Sequence, residues 1–277
     1  MSVSGRRSFT LALAALAVVP LAQGASALSN DRIALSVNGG SLTGTNGGAG
    51  GSVTWLHNFN ADALVGVAAE HQTIGNGHWT FGSLNGSVTL GSGGQRYTLY
   101  GEAHEGAGDD GPRPFKYHKE AIGVVGSYAR RLSVQLEDTH IDIEKTRGNL
   151  PKLGVSYLWT PHLMTTATYS HSIGGNLGTR LGGLRADVYT STLNYFAGAS
   201  YGQTSPSIVL IVGGSCVIDC RIPISAVYLK EGYVGISKPF ARWASELTLS
   251  ADYIDLGTTR RFTATLGYLF HIGGSSR

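Results

Sequence analysis

The sequence predicts an all-β protein: a transmembrane antiparallel up-and-down β-barrel of about 14 strands, with 12 or 16 strands as the alternatives. Apolar and polar residues alternate through long stretches of the chain, which is typical of strands with one apolar face. Charged residues make up only 14% of the 277 residues, against ~25% in soluble domains. Beyond the N-terminus, no apolar run reaches the ~18 residues that a membrane helix needs. Strands are therefore the expected membrane-spanning elements.

The N-terminus has the organisation of a secretory signal peptide over residues 1–27. Two arginines precede a short apolar segment at 11–22, and an Ala-Ser-Ala triplet ends at Ala27. We expect cleavage after this triplet, which leaves 28–277 as a single outer-membrane β-barrel domain. An uncleaved membrane anchor is the alternative, which the short apolar run interrupted by Pro20 disfavours.

The charge balance gives no indication of nucleic acid binding. Removing the N-terminal segment takes two arginines with it, so 21 basic residues become 19 against 18 acidic ones. The glycine pairs Gly39-Gly40 and Gly174-Gly175 precede no predicted helix, so they are typical of turns rather than of phosphate-binding loops. No cofactor is expected.

Alternation defines the individual strands. In 261–270 every second residue is apolar, while Thr263, Thr265 and Gly267 lie on the opposite face. The pattern is weakest in the tenth and twelfth strands, where an error would give 12 or 16 strands. The even count places both termini in the periplasm. The predicted strands are 31–42, 49–59, 62–73, 78–90, 95–105, 117–129, 131–144, 152–160, 163–173, 187–202, 207–215, 223–237, 245–256 and 260–271.

Strand length and aromatic placement favour a membrane barrel over a soluble sandwich. The predicted strands run to ~10–14 residues, long enough for a tilted strand to cross a bilayer and longer than the ~5–6 residues usual in soluble sheets. Aromatic residues near strand ends are typical of the two membrane interfaces. The residues assigned to these belts are Trp55, Phe59, Trp79, Tyr128, Trp159, Phe240, Trp243, Tyr268 and Phe270.

The connections are predicted to alternate between short periplasmic turns and longer outer loops, as in bacterial barrels. The predicted periplasmic turns are 60–62, 91–94, 130–131, 160–162, 203–206 and 238–242. The predicted outer loops are 106–114, 145–151, 174–186 and 213–222.

Several segments resemble known Gram-negative outer-membrane barrels. The hairpin sequence at 153–169 and the closing strand at 261–270 are similar to those of such proteins. The segment 239–243 followed by 251–255 resembles the YaiO-like barrels associated with exopolysaccharide secretion and biofilm. The chain departs from the usual pattern in that Phe270 is followed by seven more residues, so the aromatic insertion signal would be internal.

This resemblance implies a location and a set of partners. It implies the outer membrane of a Gram-negative bacterium, contact with outer-membrane lipid and lipopolysaccharide, and insertion by the barrel-insertion machinery. A polysaccharide or small solute is the implied cargo, and a protein partner in the lumen or at the loops is an alternative.

Charged residues on the predicted inner face are the candidate pore lining. Charges are tolerated in a wide, wet barrel interior but cost ~2–4 kcal/mol on the lipid face near the midplane. An excess of acid over base would favour neutral or cationic solutes. Paired charges that fill and rigidify the lumen are the alternative. The candidate residues are Arg32, Glu70, Glu102, His104, Glu137, Lys152, Glu246 and Asp252.

A lipid-modifying enzyme is the main rival function. Such an enzyme needs a histidine beside a nucleophilic hydroxyl. His71 and Thr73 lie two residues apart on one face, and Asn76 follows. Thr stands where such barrels have Ser, and polar residues at the membrane rim are the preferred interpretation.

Metal and disulfide chemistry have one candidate each. Asp138, His140 and Asp142 alternate on one face, followed by Glu144, and could hold a divalent cation, although a solvated strand extension is the preferred interpretation. Cys216 and Cys220 lie in a predicted outer loop of an exported chain, so a disulfide is expected; a zinc or redox pair is the alternative.

Three functions therefore follow from the sequence. The first is a non-enzymatic pore or export-associated channel, with polysaccharide as a candidate cargo. The second is a structural or anchoring barrel that binds a partner through its loops or lumen. The third is a lipid-modifying enzyme.

Overall fold

A computed structural model describes residues 31–43, 47–74, 77–92, 94–109, 114–128, 131–143, 146–204, 227–240, 245–257 and 259–272. These residues form fourteen strands. In chain order they are β1 (Asp31–Leu42), β2 (Gly48–Asn60), β3 (Ala63–Ile74), β4 (Gly77–Ser92), β5 (Gln95–Asp109), β6 (Pro114–Tyr128), β7 (Leu132–Ile143), β8 (Thr146–Thr160), β9 (Leu163–His171), β10 (Arg180–Tyr189), β11 (Asn194–Thr204), β12 (Val227–Phe240), β13 (Ser245–Asp255) and β14 (Arg260–Ile272).

The strands close into one antiparallel barrel. Each strand pairs with its neighbours in sequence, and β14 returns to pair with β1 from Asp31 opposite Ile272 to Leu42 opposite Arg261. Closure gives both edge strands a backbone partner, which hydrocarbon requires because it offers no hydrogen bonds. The predicted fold class and the count of 14 strands are confirmed. No helix in the described part of the chain is long and apolar enough to cross a membrane.

The outer face carries the apolar residues. Leu184, near the middle of β10, is 68% exposed, and Leu84, Ile122, Leu136 and Val234 are likewise exposed large apolar side chains. Such a surface would be unfavourable in water but is the surface that lipid requires. Aromatic residues border it at both ends. Near the chain termini these are Trp55, Phe59, Tyr97, Tyr128, Trp159 and Tyr195, and at the other end Tyr169, Tyr201, Tyr228, Tyr253 and Phe262.

Trp79 does not belong to either belt. Its side chain is 1% exposed and packs inside the barrel with Phe81 and Tyr117. The prediction placed Trp79 by its closeness to a strand end, but its alternation places it on the inner face of β4. Trp243 lies outside the described residues.

The strand prediction was wrong between residues 180 and 204. The predicted strand 187–202 is the end of β10, a turn at 190–193 and most of β11. Thr190 closes this turn: its hydroxyl donates to the carbonyl of Leu193, 2.5 Å away, and accepts the amide of Leu193 at 3.0 Å. The turn contains no Gly or Pro, the strongest break signals, and its only signal is the weaker cluster Thr190-Ser191-Thr192, which the prediction did not use. The predicted strand 207–215 lies outside the described residues.

The order of the antiparallel strands shows at which end of the barrel each connection lies. The start of β1 and the end of β14 lie at one end, with the connections 61–62, 93–94, 129–131, 161–162, 190–193 and 241–244. The longest connection, 205–226, joins two strands at the other end. Short turns with both termini mark the periplasmic side. The predicted periplasmic turn 203–206 was wrong, because Gln203 and Thr204 end β11 at the outer end.

Two predicted outer loops were also partly wrong. Most of 145–151 extends the β7–β8 hairpin, and 180–186 belongs to β10, which leaves 172–179 as the β9–β10 connection. The loop predicted at 106–114 is shorter, because β5 continues to Asp109 and β6 begins at Pro114. The predicted loop 213–222 and residues 1–27 lie outside the described residues.

The two faces of the wall should differ sharply in their tolerance of charge. Leu184→Arg places a cation in lipid near the middle of β10 and should lower the free energy of unfolding by about 2–4 kcal/mol. Thr168→Arg is the matched control, since Thr168 lies opposite Gly183 on the inner face. Chemical unfolding in lipid vesicles measures both variants. Equal destabilisation by the two would contradict the assignment of the faces.

Candidate functional site: the polar lumen

The inner face of the barrel is polar and charged. All eight predicted lining residues have the strand parity that points inward, and the structure joins most of them to other inner-face side chains. Arg32, for example, donates from Nη2 to Oδ1 of Asn58 on the neighbouring strand at 3.2 Å. Glu246, at the periplasmic end of β13, shares the inner parity of Asp252.

One charged cluster lies on β3, β5 and β6. Lys119 forms an ion pair with Glu102, which also lies 3.4 Å from Nε2 of His104. Glu70 accepts a hydrogen bond from Gln72 on its own strand. The cluster places two carboxylates, a lysine and a histidine on one part of the wall.

A second cluster continues this wall onto β7 and β8. Lys152 lies 3.0 Å from Oε1 of Glu137, and the hydroxyl of Tyr100 donates to Oε2 of Glu137 at 2.5 Å. Gln135 donates to that hydroxyl at 2.6 Å. These contacts connect side chains from β5 to β8. They orient the side chains along the wall, because each polar group has a partner.

The opposite wall carries a further charged cluster on β10, β11 and β12. Arg185 and Asp187 form a bidentate pair with N···O distances of 2.6–3.0 Å. The guanidinium lies 4.8 Å from the ring centroid of Phe196 and 6.0 Å from that of Tyr233. Both contacts are within the range of cation–π attraction, so the arginine is held against the wall.

The last cluster lies on β12, β13 and β14. Arg261 lies 3.4 Å from Oδ2 of Asp252. Glu231 lies directly opposite Ser200 in the strand register and is hydrogen-bonded to it. The sequence analysis named only Asp252 here.

Acidic residues outnumber basic ones on the described inner face. The carboxylates are Glu70, Glu102, Glu137, Asp187, Glu231, Glu246 and Asp252, and the cations are Arg32, Lys119, Lys152, Arg185 and Arg261. Arg96, at the periplasmic rim, pairs with Asp62 of the β2–β3 turn. The formal difference is thus two negative charges.

Several of these charged side chains are partly exposed toward the inside of the barrel. The side chains of Glu102, Lys152 and Arg185 are 32%, 30% and 35% exposed although they point into the barrel. An ionised group packed in a dry core would be nearly inaccessible and would pay a large desolvation cost. The lumen at their level is therefore wide enough for solvent.

Aromatic rings lie flat against the inner wall over glycines. Tyr100 lies directly opposite Gly123 and Tyr233 opposite Gly198, and a Cβ on either glycine would collide with the facing ring. Phe196 covers Gly235 in the same way. The missing side chain lets each ring lie along the sheet instead of projecting across the lumen.

The outer end of the barrel is narrowed by an apolar cluster. Trp79, Phe81, Tyr117, Ile141 and Ile143 project inward from β4, β6 and β7, and Leu42 and Leu150 join them. Leu177 of the β9–β10 connection is fully buried in this cluster. The connection therefore folds into the mouth of the barrel rather than away from it.

Backbone hydrogen bonds fix this connection to β8. Asn149 and Ile173 exchange amide-to-carbonyl bonds of 2.8 and 3.3 Å, and the amide of Asn176 donates to the carbonyl of Arg147 at 2.9 Å. Gly175 has φ +63° and lies so close to Arg147 that a Cβ would collide with the Arg147 carbonyl oxygen. The inward course of 172–179 is thus built into the wall.

The candidate enzyme residues are not arranged for catalysis. His71 contacts the Thr80 hydroxyl at 3.0 Å through Nδ1, while the Thr73 hydroxyl donates to the carbonyl of Ala49 at 3.0 Å. A nucleophile must share its proton with the base, and here the two residues have different partners. Asn76 lies outside the described residues.

The candidate metal ligands lie on the outer face above the apolar surface. His140 contacts Asn149, whose amide donates to Asp138 at 2.8 Å. The described residues contain no group of three or more His, Cys, Asp or Glu side chains arranged to hold a metal ion. Glu144 and the cysteine pair Cys216 and Cys220 lie outside the described residues, so the predicted disulfide stays a prediction.

Five charged lining residues were missed by the sequence analysis. Lys119, Glu231 and Arg261 share the inward parity of their strands, so alternation alone could have identified them. Arg185 was missed because its segment was assigned to a loop. Its partner Asp187 was the first residue of the predicted strand 187–202. In the structure that segment contains the turn at 190–193.

The comparisons with known proteins agree with this architecture. No protein-family model matches the chain, and no relative was found among curated proteins. The CymD monoaromatic hydrocarbon channel has a similar fold with TM-score 0.58 and 9% identity, over 89% of this chain and 90% of that one. The Pseudomonas putida toluene transporter TodX gives TM-score 0.54 and 7% identity over 87% and 88% of the two chains. The Acinetobacter baumannii outer membrane protein Omp33 gives 0.50 and 9% over 88% and 99%.

At these identities the similarity establishes the fold. The closed barrel, its lipid-facing surface and its structural neighbours make this chain an outer-membrane β-barrel of a Gram-negative bacterium. The structural neighbours above are channels and outer-membrane proteins rather than enzymes. The resemblance to YaiO-like barrels rests on the sequence segments alone.

Two adjacent glycines test the anchoring of the β9–β10 connection. Gly174 and Gly175 both have positive φ, so alanine costs about 1–2 kcal/mol of backbone strain at either position. Only at Gly175 would the new Cβ meet the Arg147 carbonyl. Gly175→Ala should therefore speed amide hydrogen exchange across 172–179 much more than Gly174→Ala. Equal exchange in the two variants would contradict the tight contact.

Proposed function

We propose that the barrel is a passive pore for small polar solutes with a weak preference for cations. The observation that carries this proposal is the partial solvent exposure of ionised side chains in the middle of the lumen. Water that reaches Glu102, Lys152 and Arg185 supports a hydrated path along the barrel axis. A barrel filled by packed side chains would exclude it.

The cation preference follows from the charges of the lumen wall. Most inner carboxylates have a cationic partner, which keeps the potential small. The two surplus negative charges bias the lumen toward cations, as rings of carboxylates do in cation-selective pores. The preference should be strongest at low ionic strength, where the Debye length of ~30 Å at 0.01 M spans the lumen.

The outer mouth would set the size limit. The apolar cluster around Leu177 occupies the side of the mouth formed by β1 and β4–β8, and the side formed by β10–β14 lies across from it. A second apolar group, made by Leu229, Ile254 and Leu256, lines that side. Solutes would therefore pass an apolar entrance before they reach the charged lumen.

Polysaccharide export is the finer hypothesis, and it derives from the sequence resemblance. The flat rings of Tyr100, Phe196 and Tyr233 support a sugar cargo, because aromatic faces are apolar surfaces with few conformational degrees of freedom. Proteoliposome swelling in sugars of increasing length tests it. Entry of oligosaccharides as fast as monosaccharides would support this cargo, and a sharp cut-off at small sugars would contradict it.

Neutralising the acidic or the basic residue of one ion pair should shift the ion selectivity of the pore in opposite directions. Glu102→Gln makes the lumen less negative and should lower the cation preference, whereas Lys119→Met should raise it. Reversal potentials in planar bilayers under a salt gradient measure both. Glu120→Gln on the outer face of β6 is the control and should change nothing. Shifts in the same direction for Glu102→Gln and Lys119→Met would contradict a charge-lined pore.

Filling the space under an inner ring should narrow the pore. Gly198→Val would push the Tyr233 ring away from the wall and should lower the single-channel conductance. Gly232→Val is the matched control, because a Cβ at Gly232 meets nothing within 4 Å and this residue lies on the outer face of β12. An unchanged conductance in folded Gly198→Val would show that the ring does not border the conducting path.

A further inference from the structure

The lipid-facing rim of the barrel has a basic, tyrosine-rich side near its outer end. Tyr169 on β9, Arg180 on β10, Tyr201 on β11, and Tyr228 and Lys230 on β12 all point outward and are exposed. We call these five residues the basic rim patch. They lie at the ends of their strands away from the chain termini, and therefore at the level of the outer leaflet.

Within the described part of the chain, the two cations of the patch have no acidic partner. Nε of Arg180 donates to the Tyr169 hydroxyl at 3.0 Å, and the arginine side chain is exposed. Lys230 lies opposite Asp255 in the register, but that carboxylate instead faces Arg260 at 3.7 Å and accepts the amide of Gly257. Among the described residues, neither Arg180 nor Lys230 forms an ion pair.

The tyrosines bring the cations into one surface. Lys230 lies directly between Tyr201 and Asp255 in the sheet. The rings of Tyr201 and Tyr228 stack at 6.0 Å between centroids with an interplanar angle of 25°. A tyrosine at a membrane interface has its ring in the apolar layer and its hydroxyl among the headgroups, so the patch lies at headgroup level.

The other side of the outer rim has the opposite character. Glu105, Glu120, Asp138 and Asp142 point outward from β5, β6 and β7, together with His118 and His140. His118 contacts both Glu105 and Glu120, so these charges already have partners. At the outer rim, the outward cations that form no ion pair among the described residues are Arg147, Arg180 and Lys230, so they lie on the β8–β12 side.

We propose that the basic rim patch binds the phosphorylated saccharide headgroup of an outer-leaflet lipid, the lipopolysaccharide of the same membrane. A lipid-facing cation needs an anion at its own level, and a phosphate supplies one. Arginine is suited to this role because its planar fork can bind phosphate oxygens through two hydrogen bonds. The hydroxyls of Tyr201 and Tyr228 add hydrogen-bonding groups for the sugar. The binding is independent of conduction through the lumen.

Native mass spectrometry of the purified, folded barrel tests the proposal. The probes are lipid A with both phosphates, the same lipid with both phosphates removed, and phosphatidylglycerol. The intact protein should bind the phosphorylated lipid A at least ~10-fold more tightly than either other lipid, a difference of about 1.4 kcal/mol. Arg180→Gln/Lys230→Gln should abolish that preference.

Two further variants keep the test decisive. Lys238→Gln removes a cation on the same strand at the periplasmic end, where its ammonium lies 5.4 Å from the Phe240 ring centroid, and should leave lipid A binding unchanged. Arg180→Lys/Lys230→Arg keeps both charges and should retain most of it. Wild-type binding by the Gln double variant would overturn the proposal. Equal binding of the three lipids, or displacement of lipid A by millimolar inorganic phosphate, would also overturn it.

Discussion

The pairing of β14 with β1 is the constraint on which the rest of this structure depends. In hydrocarbon an unpaired backbone amide or carbonyl costs several kcal/mol, so the fourteen strands span the membrane only as a closed cylinder. Closure separates an outer face that lipid contacts from an inner face that it never reaches. The alternation along every strand follows, because side chains two residues apart must meet the same environment.

The inner face shows what this separation permits. Ion pairs such as Glu102–Lys119 and Glu137–Lys152 lie at membrane level because the closed wall keeps lipid away from them, and their side chains stay partly exposed toward the lumen. These cross-strand ion pairs hold long side chains against the wall. The glycines beneath Tyr100 and Tyr233 leave room for the two rings to lie against the wall as well. Among the described residues, charge and aromatic surface thus lie along the wall instead of projecting across the lumen. The connection at 172–179 narrows only the outer mouth.

The alternation of apolar and polar residues made the barrel fold predictable from the sequence. Turns with weak sequence signals made the bounds of individual strands harder to predict. Alternation assigned all eight predicted lining residues the inward parity that they have in the structure, and their role as a pore lining stays a prediction. Alternation failed at 187–202, where a turn closed by Thr190 lacks Gly or Pro and the two strands read as one. The inward course of Leu177 and the partners of each charge are tertiary contacts, which alternation along single strands cannot encode.

The central claim is that water and ions pass through the lumen of the folded barrel. The most direct measurement is the conductance of the mature wild-type chain in a planar bilayer, on protein whose folding is verified by heat-modifiable migration. The account predicts steady openings whose conductance rises with salt concentration and whose reversal potential favours cations. A folded barrel that stays silent in the bilayer would contradict it and would favour a plugged, structural barrel.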